Sequence, residues 1–163
     1  MEIINGTIIS CRITDTGCWY TVFSPGNTRS FFSKKRLFSL FESCEVVLVN
    51  KNCNFFLSDY QFSYEDAPLK KYPLNIIAAS WFSILVEALC CNDVSDTRFI
   101  NKCIDVLSSG NVTIQNIADV ETSYLKISGF GEKSDPDRLF NDYFPGKVHI
   151  RRSLQNQIDR RPK

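Results

Sequence analysis

Histidine is almost missing from this chain of 163 residues, with His149 the one copy. The seven cysteines, Cys11, Cys18, Cys44, Cys53, Cys90, Cys91 and Cys103, include no pair at C-x-x-C spacing. Structural zinc sites need paired thiolates or imidazoles, so no metal is expected, and no other cofactor. His149 lies in a basic segment with no carboxylate partner evident in sequence, which makes it a poor general base. The chain also lacks a Walker loop, G-x-G-x-x-G, G-x-S-x-G and H-E-x-x-H. Gly129-Phe130-Gly131 follows a helical pattern rather than a strand, and reads as a helix stop rather than a phosphate cradle. An enzyme is not expected.

Long apolar runs are absent too. The longest, Ile76 to Cys91, is broken by Ser80, Ser83 and Glu87, too short and too marked for a bilayer span. Met1 leads straight into a strand pattern, so no signal peptide is expected. Unpaired cysteines, two of them in an apolar helical run, read as reduced and largely buried, as in a cytoplasmic protein. Net charge is only +1. Its distribution says more. Residues 1–53 carry six basic and four acidic groups, residues 54–146 seven and thirteen, and residues 147–163 six and one. The basic groups gather at the two ends and the acidic excess lies between them.

What is present falls into two halves. Residues 1–64 show period-two alternation with turn signals at Asp15-Thr16-Gly17, Pro25-Gly26-Asn27 and Asn50-Lys51-Asn52. Strands are predicted near 3–13, 18–24, 28–33, 45–49 and 54–64. In the fifth, Phe56, Tyr60 and Phe62 share one parity. The linker with Leu37, Phe38, Leu40 and Phe41 reads as a helical turn plugging one barrel end. Five strands at this spacing fit an OB-like barrel, with an SH3-like barrel the alternative that pattern alone leaves open. From Pro68 the period becomes helical. Helices are predicted near 74–91, 96–108 and 113–128, stopped by Gly110 and Gly129, and a short one begins at Asp135-Pro136. The expected class is α+β: a barrel domain over 1–66, a helical bundle over 67–146 and a basic tail over 147–163.

One constellation carries chemistry. Arg29, Phe31, Phe32, Lys34, Lys35 and Arg36 lie within eight residues that contain no acid. Lysine and arginine neutralise backbone phosphates, and aromatic faces stack on unpaired bases. On a barrel, the third strand and the loop after it can line a nucleic-acid face. Arg12, on the wetter face of the first strand, can join them, and Trp19 can either stack or fill the core. The tail adds Arg151 and Arg152. The candidate DNA contacts are thus Arg12, Arg29, Phe31, Lys34, Lys35, Arg36, Arg151 and Arg152. The bland alternative is a solvated hairpin with core phenylalanines.

Gly6-Thr7-Ile8-Ile9-Ser10-Cys11-Arg12, followed by Trp19-Tyr20-Thr21-Val22-Phe23-Ser24-Pro25-Gly26, resembles the opening of the bacterial recombination mediators of the RecO family. Ile76–Leu89 looks like that family's long apolar helix and Asp96–Leu107 like the next. Glu121-Thr122-Ser123-Tyr124-Leu125-Lys126-Ile127-Ser128-Gly129-Phe130 looks like a later segment. The resemblance covers about residues 3–131. The chain departs from the family in having no Cys-rich zinc element and only Ser33-Lys34-Lys35-Arg36 after the third strand. The resemblance implies an OB-fold domain that binds single- and double-stranded DNA and anneals complementary strands. It implies a helical domain that engages RecR and the acidic, Phe-ended tail of single-stranded-DNA-binding protein, so that recombinase loads. Lys70, Lys71 and Lys126 are the candidate cations for that tail. The competing expectation is a barrel-plus-helix interaction adaptor without DNA binding.

Overall fold

The computed structural model describes residues 1–63, 73–89, 94–130 and 135–160. Five strands come first: β1 (Glu2–Thr14), β2 (Gly17–Phe23), β3 (Arg29–Ser33), β4 (Ser43–Lys51) and β5 (Asn54–Phe62). They close into a barrel in the order β1-β2-β3-β5-β4, with β4 returning to β1. Every pairing is antiparallel except β3 with β5. This is the partly Greek-key order of an OB-like barrel. Helices follow among the described residues: α1 (Pro73–Ala88), α2 (Val94–Ser108), α3 (Ile114–Ile127), α4 (Pro136–Tyr143) and α5 (Val148–Asp159).

The long first strand joins barrel to helices. Its first half pairs with β4 and its second with β2, and the register shifts between Ile8 and Ser10. A bulge re-aims side chains. Here it lets consecutive residues Ile8 and Ile9 both be buried, Ile8 in the barrel core and Ile9 in the helical core. The backbone groups at the bulge are satisfied from outside the sheet. Ile8 N–H donates to Glu42 O at 2.9 Å, Phe41 N–H to Ile8 O at 2.6 Å, and Ser83 Oγ on α1 to Ile9 O at 2.6 Å. Ser10 Oγ also donates to Glu87 Oε1, a second tie between β1 and α1.

The 34–42 linker forms no helical turn. It plugs the barrel in another way. Phe38 enters the barrel core, while Phe41, held at φ 59°, turns into the helical core.

The apolar stripe of α1 puts Leu74, Ala78, Trp81, Phe82 and Leu85 at the centre of the helices. Leu74, Phe82 and Leu85 each contribute roughly 1.5–3 kcal/mol on full burial. Thr113 caps α3, accepting from Asn116 N–H while the Asn116 side chain reaches back to the Thr113 backbone. Gly110 and Gly129 have φ of 70° and 81°, in the left-handed region that ends helices. Asp135 caps α4, with Pro136 in its first turn.

Residues 148–159 depart from the sequence reading, which leaves them in a basic tail. They form α5, with Val148, Arg151 and Leu154 buried and Ile150 and Ile158 packed against the core. Helical spacing of these few apolar side chains suffices because α1 supplies the opposing face. No helix among the described residues is long and apolar enough to cross a membrane.

Candidate nucleic-acid interface

Alternation along the strands decides which aromatics reach solvent. Tyr20 and Phe31 point into the barrel, both fully buried, with ring centroids 5.6 Å apart. Their neighbours Trp19 and Phe32 therefore face outward and are half-buried. Register aligns them. Arg12 lies opposite Trp19, Trp19 opposite Phe32, and Phe32 opposite Phe56. One continuous row, Arg12–Trp19–Phe32–Phe56, thus crosses four strands on the outside of the barrel. The Trp19 and Phe32 rings are 5.6 Å apart at 59°, and Phe32 and Phe56 are 6.1 Å apart at 74°. Thr21 and Ser30 flank the row, their hydroxyls 3.0 Å apart.

The row continues into a groove of about 550 Å³, lined by Phe32, Phe56 and Tyr60 with the exposed lysines Lys34, Lys35 and Lys51. Two features hold the groove's shape. A Cβ at Gly17 would lie 2.4 Å from Ser33 O and 2.6 Å from the Phe32 ring, so the β1–β2 turn approaches Phe32 only because it lacks a side chain. The basic loop is pinned from inside. Tyr20 Oη accepts Leu37 N–H at 2.9 Å and Phe38 N–H at 3.4 Å, and Lys35 N–H donates to Ser33 Oγ at 3.3 Å. Burial pushes the Tyr20 phenol up to about 12, so it stays neutral.

The candidate contacts separate on the structure. Arg12, Lys34 and Lys35 join the row and its groove. Arg36 is exposed but lines a different crevice, beside α1. Arg29 sits at the other end of β3, ion-paired with Glu2 at 3.4 Å and 5.7 Å above the Phe55 ring. Phe31 is corrected from contact to core: it is wholly buried against Tyr20 and Phe38, because β3 parity turns Phe32 outward instead.

Arg151 is likewise corrected from contact to core. Its Nε and Nη2 donate to Glu121 Oε1 and Oε2 at 2.6 and 2.8 Å, its Nη1 to Asp137, and it lies 5.2 Å from the Phe140 ring centre. Burial alone would lower this guanidinium, but Glu121 and Asp137 reverse the effect and hold it above its ordinary range. Arg152 is exposed on α5, on the helical side, with Nη2 3.5 Å from Asn141 Oδ1. Lys126 is exposed in the last turn of α3 and lines neither groove. Lys70 and Lys71 lie outside the described residues.

Sequence reasoning missed Phe56 and Lys51, and left Trp19 open. Two adjacent phenylalanines in β3 hide the parity, which the pairing with β2 resolves. In β5 the pairing shifts between Leu57 and Asp59, so Ser58 is bulged. That bulge puts Phe55 and Leu57 inside with Phe62, and leaves Phe56 out. No protein-family model matches the chain, and no curated protein matches it.

Proposed function

We propose that the outer face of the barrel binds single-stranded nucleic acid with little sequence preference. Support comes from the Arg12–Trp19–Phe32–Phe56 row with Lys34, Lys35 and Lys51 beside it. Every base has a π-face, so stacking on such a row tolerates any sequence, while the lysines track the phosphates. No covalent step is needed for this work.

The RecO-like features extend the proposal to a DNA repair and recombination mediator. In that role the chain binds single- and double-stranded DNA, anneals complementary strands, and cooperates with RecR and the tail of single-stranded-DNA-binding protein in the cytoplasm. An adaptor without DNA binding is the second reading. It is favoured by the pairing of Arg29 with Glu2 and of Arg151 with Glu121, which takes two cations out of play.

Fluorescence anisotropy with a labelled thymine oligonucleotide across a salt series separates the two. The mediator reading expects affinity that falls steeply with salt and drops in a Trp19→Ala/Phe32→Ala variant. Binding that is absent, or that ignores both salt and these residues, supports the adaptor.

A further inference from the structure

A second crevice, of about 380 Å³, lies between the barrel and α1. Cys11 and Ile13 of β1, Phe38 and Leu40 of the linker, and Ile76 and Ala79 of α1 form its apolar walls. Two polar groups on it are unspent. Asn75 is wholly buried, and its Nδ2 donates to Leu107 O at 2.8 Å, which fixes the orientation of the amide. That leaves Asn75 Oδ1 buried with no hydrogen-bond partner among the described residues. Such a group is rare in folded proteins and is stabilised by any donor that reaches it. The second group is Arg36, which is exposed on the crevice and forms no ion pair among the described residues.

We propose that this crevice takes one unpaired nucleobase bearing an exocyclic amine, the amine donating to Asn75 Oδ1 and the nucleotide's phosphate pairing with Arg36. The ligand must combine a compact apolar body, an N–H donor and an anion, and a nucleotide has all three. The volume lies within the range of small-molecule sites, roughly 300–1,000 Å³. Continuity with the aromatic groove favours nucleic acid over a peptide. Lys34, Lys35 and Leu37 line the groove, whereas Arg36 and Phe38 line the crevice, so one short segment is the wall between them. A polyanion tracking the basic run Lys34-Lys35-Arg36 passes from one site to the other. The inference rests on the nucleic-acid reading above and adds a base-reading position to it.

The test uses the full chain and thymine strands of about 12 nucleotides, within the span such barrels cover. One strand carries a central adenine, the other a central unsubstituted purine, which differs only in lacking the amine. Anisotropy should show the adenine strand bound about tenfold tighter, the scale of one buried acceptor gaining its donor. Ser80→Phe, which fills the crevice from the half-buried side of α1, should abolish that advantage while leaving the all-thymine strand bound as before. Asn75→Ala should do the same if it folds, but Ser80→Phe decides the matter regardless. Equal affinity for the two strands, with the all-thymine strand still bound, overturns the crevice alone. Failure of the all-thymine strand to bind overturns the nucleic-acid reading with it. An adenine advantage that survives Ser80→Phe places the discrimination on the aromatic row and overturns the crevice site. Deoxyadenosine monophosphate and N-acetylphenylalanine amide complete the set. A rise in Tm with the nucleotide, lost in Ser80→Phe, shows that a free nucleotide suffices, and its absence beside an adenine advantage assigns the site to bases within a strand. A rise with the amino-acid amide and no adenine advantage overturns the proposal in favour of a peptide.

Discussion

Tyr20 Oη, inside the barrel, accepts the backbone N–H of Leu37 at 2.9 Å, and so fixes the loop that carries Lys34, Lys35 and Arg36. The residue that positions the basic loop is thus a wholly buried core residue. Tyr20→Phe keeps the ring packing against Phe31 and Phe38 but leaves two N–H groups without their acceptor. An unsatisfied buried donor costs about 1–3 kcal/mol. The variant should fold, lose stability on that scale in urea titration, and bind single strands several-fold more weakly.

The same phenol makes a pH signature. It keeps its proton up to about 12 in the folded chain, against about 10 when unfolded. Between these values the folded state binds the extra proton, so its contribution is complete below about pH 10 and is lost as pH rises toward about 12. Cys103, raised by burial, adds to the alkaline loss in both proteins. The difference between wild type and Tyr20→Phe in urea midpoint should therefore shrink across that window. A difference that stays constant from pH 9 to 12 would show that Tyr20 titrates normally.

Phe31 and Phe32 are neighbours with opposite roles. Phe31→Ala empties the barrel core and should destabilise by about 3–5 kcal/mol. Phe32→Ala removes a half-buried outer ring, so melting should move little. Binding of a single strand should fall by about 1–3 kcal/mol for each stacking residue removed, in Trp19→Ala as in Phe32→Ala. Calorimetric melting beside anisotropy separates the two effects. If Phe31→Ala is the variant that folds normally and loses binding, the face is assigned wrongly.

The positions of the five strands and of the first four helices are legible in the sequence, because period-two spacing, helical spacing and caps are local signals, whereas the order of the strands around the barrel rests on pairings between distant residues. The turn at Pro25-Gly26-Asn27, the stops at Gly110 and Gly129 and the cap at Asp135 all fall where local chemistry places them. The two bulges were not legible. Each inserts one residue and inverts the faces beyond it, and it shows only against the partner strand. That is why Phe56, which shares sequence parity with Phe62, lies on the opposite face from it, whereas the choice between Phe31 and Phe32 is settled only by the pairing of β3 with β2. The acidic partners of Arg151 stand 30 and 14 positions away in sequence, so its burial had no local sign and the segment read as a tail.

Arg151 should act on stability rather than on binding. Glu121 accepts from it and from Trp81 Nε1, the latter at 3.0 Å, so one carboxylate joins α1, α3 and α5. Removing one partner of a buried pair strands the other charge, at a cost of about 3–5 kcal/mol. Glu121→Gln and Arg151→Ala should each lower the urea midpoint, with a loss of unfolding free energy on that scale. Arg152→Ala, on the exposed side of the same helix, should change it little. A normal midpoint for Arg151→Ala would mean that α5 is not held by this network.

The lysines beside the aromatic row should be read in the salt dependence. Each phosphate contact on a single strand contributes about 0.7 to the slope of log affinity against log salt. Lys34→Gln, Lys35→Gln and Lys51→Gln should therefore lower the slope in steps of about that size, leaving the stacking energy in place. Arg29→Gln, at the start of β3, is the control. Its side chain pairs with Glu2 at the far end of β3, so the slope should not move. Lys51 is the sharpest of the four, because it reaches the groove from the end of β4 and not from the 34–36 run. A slope unchanged in Lys51→Gln but reduced in Arg29→Gln would move the phosphate track to the opposite end of β3. In that case the groove beside Phe32 and Phe56 would not be the path of the strand.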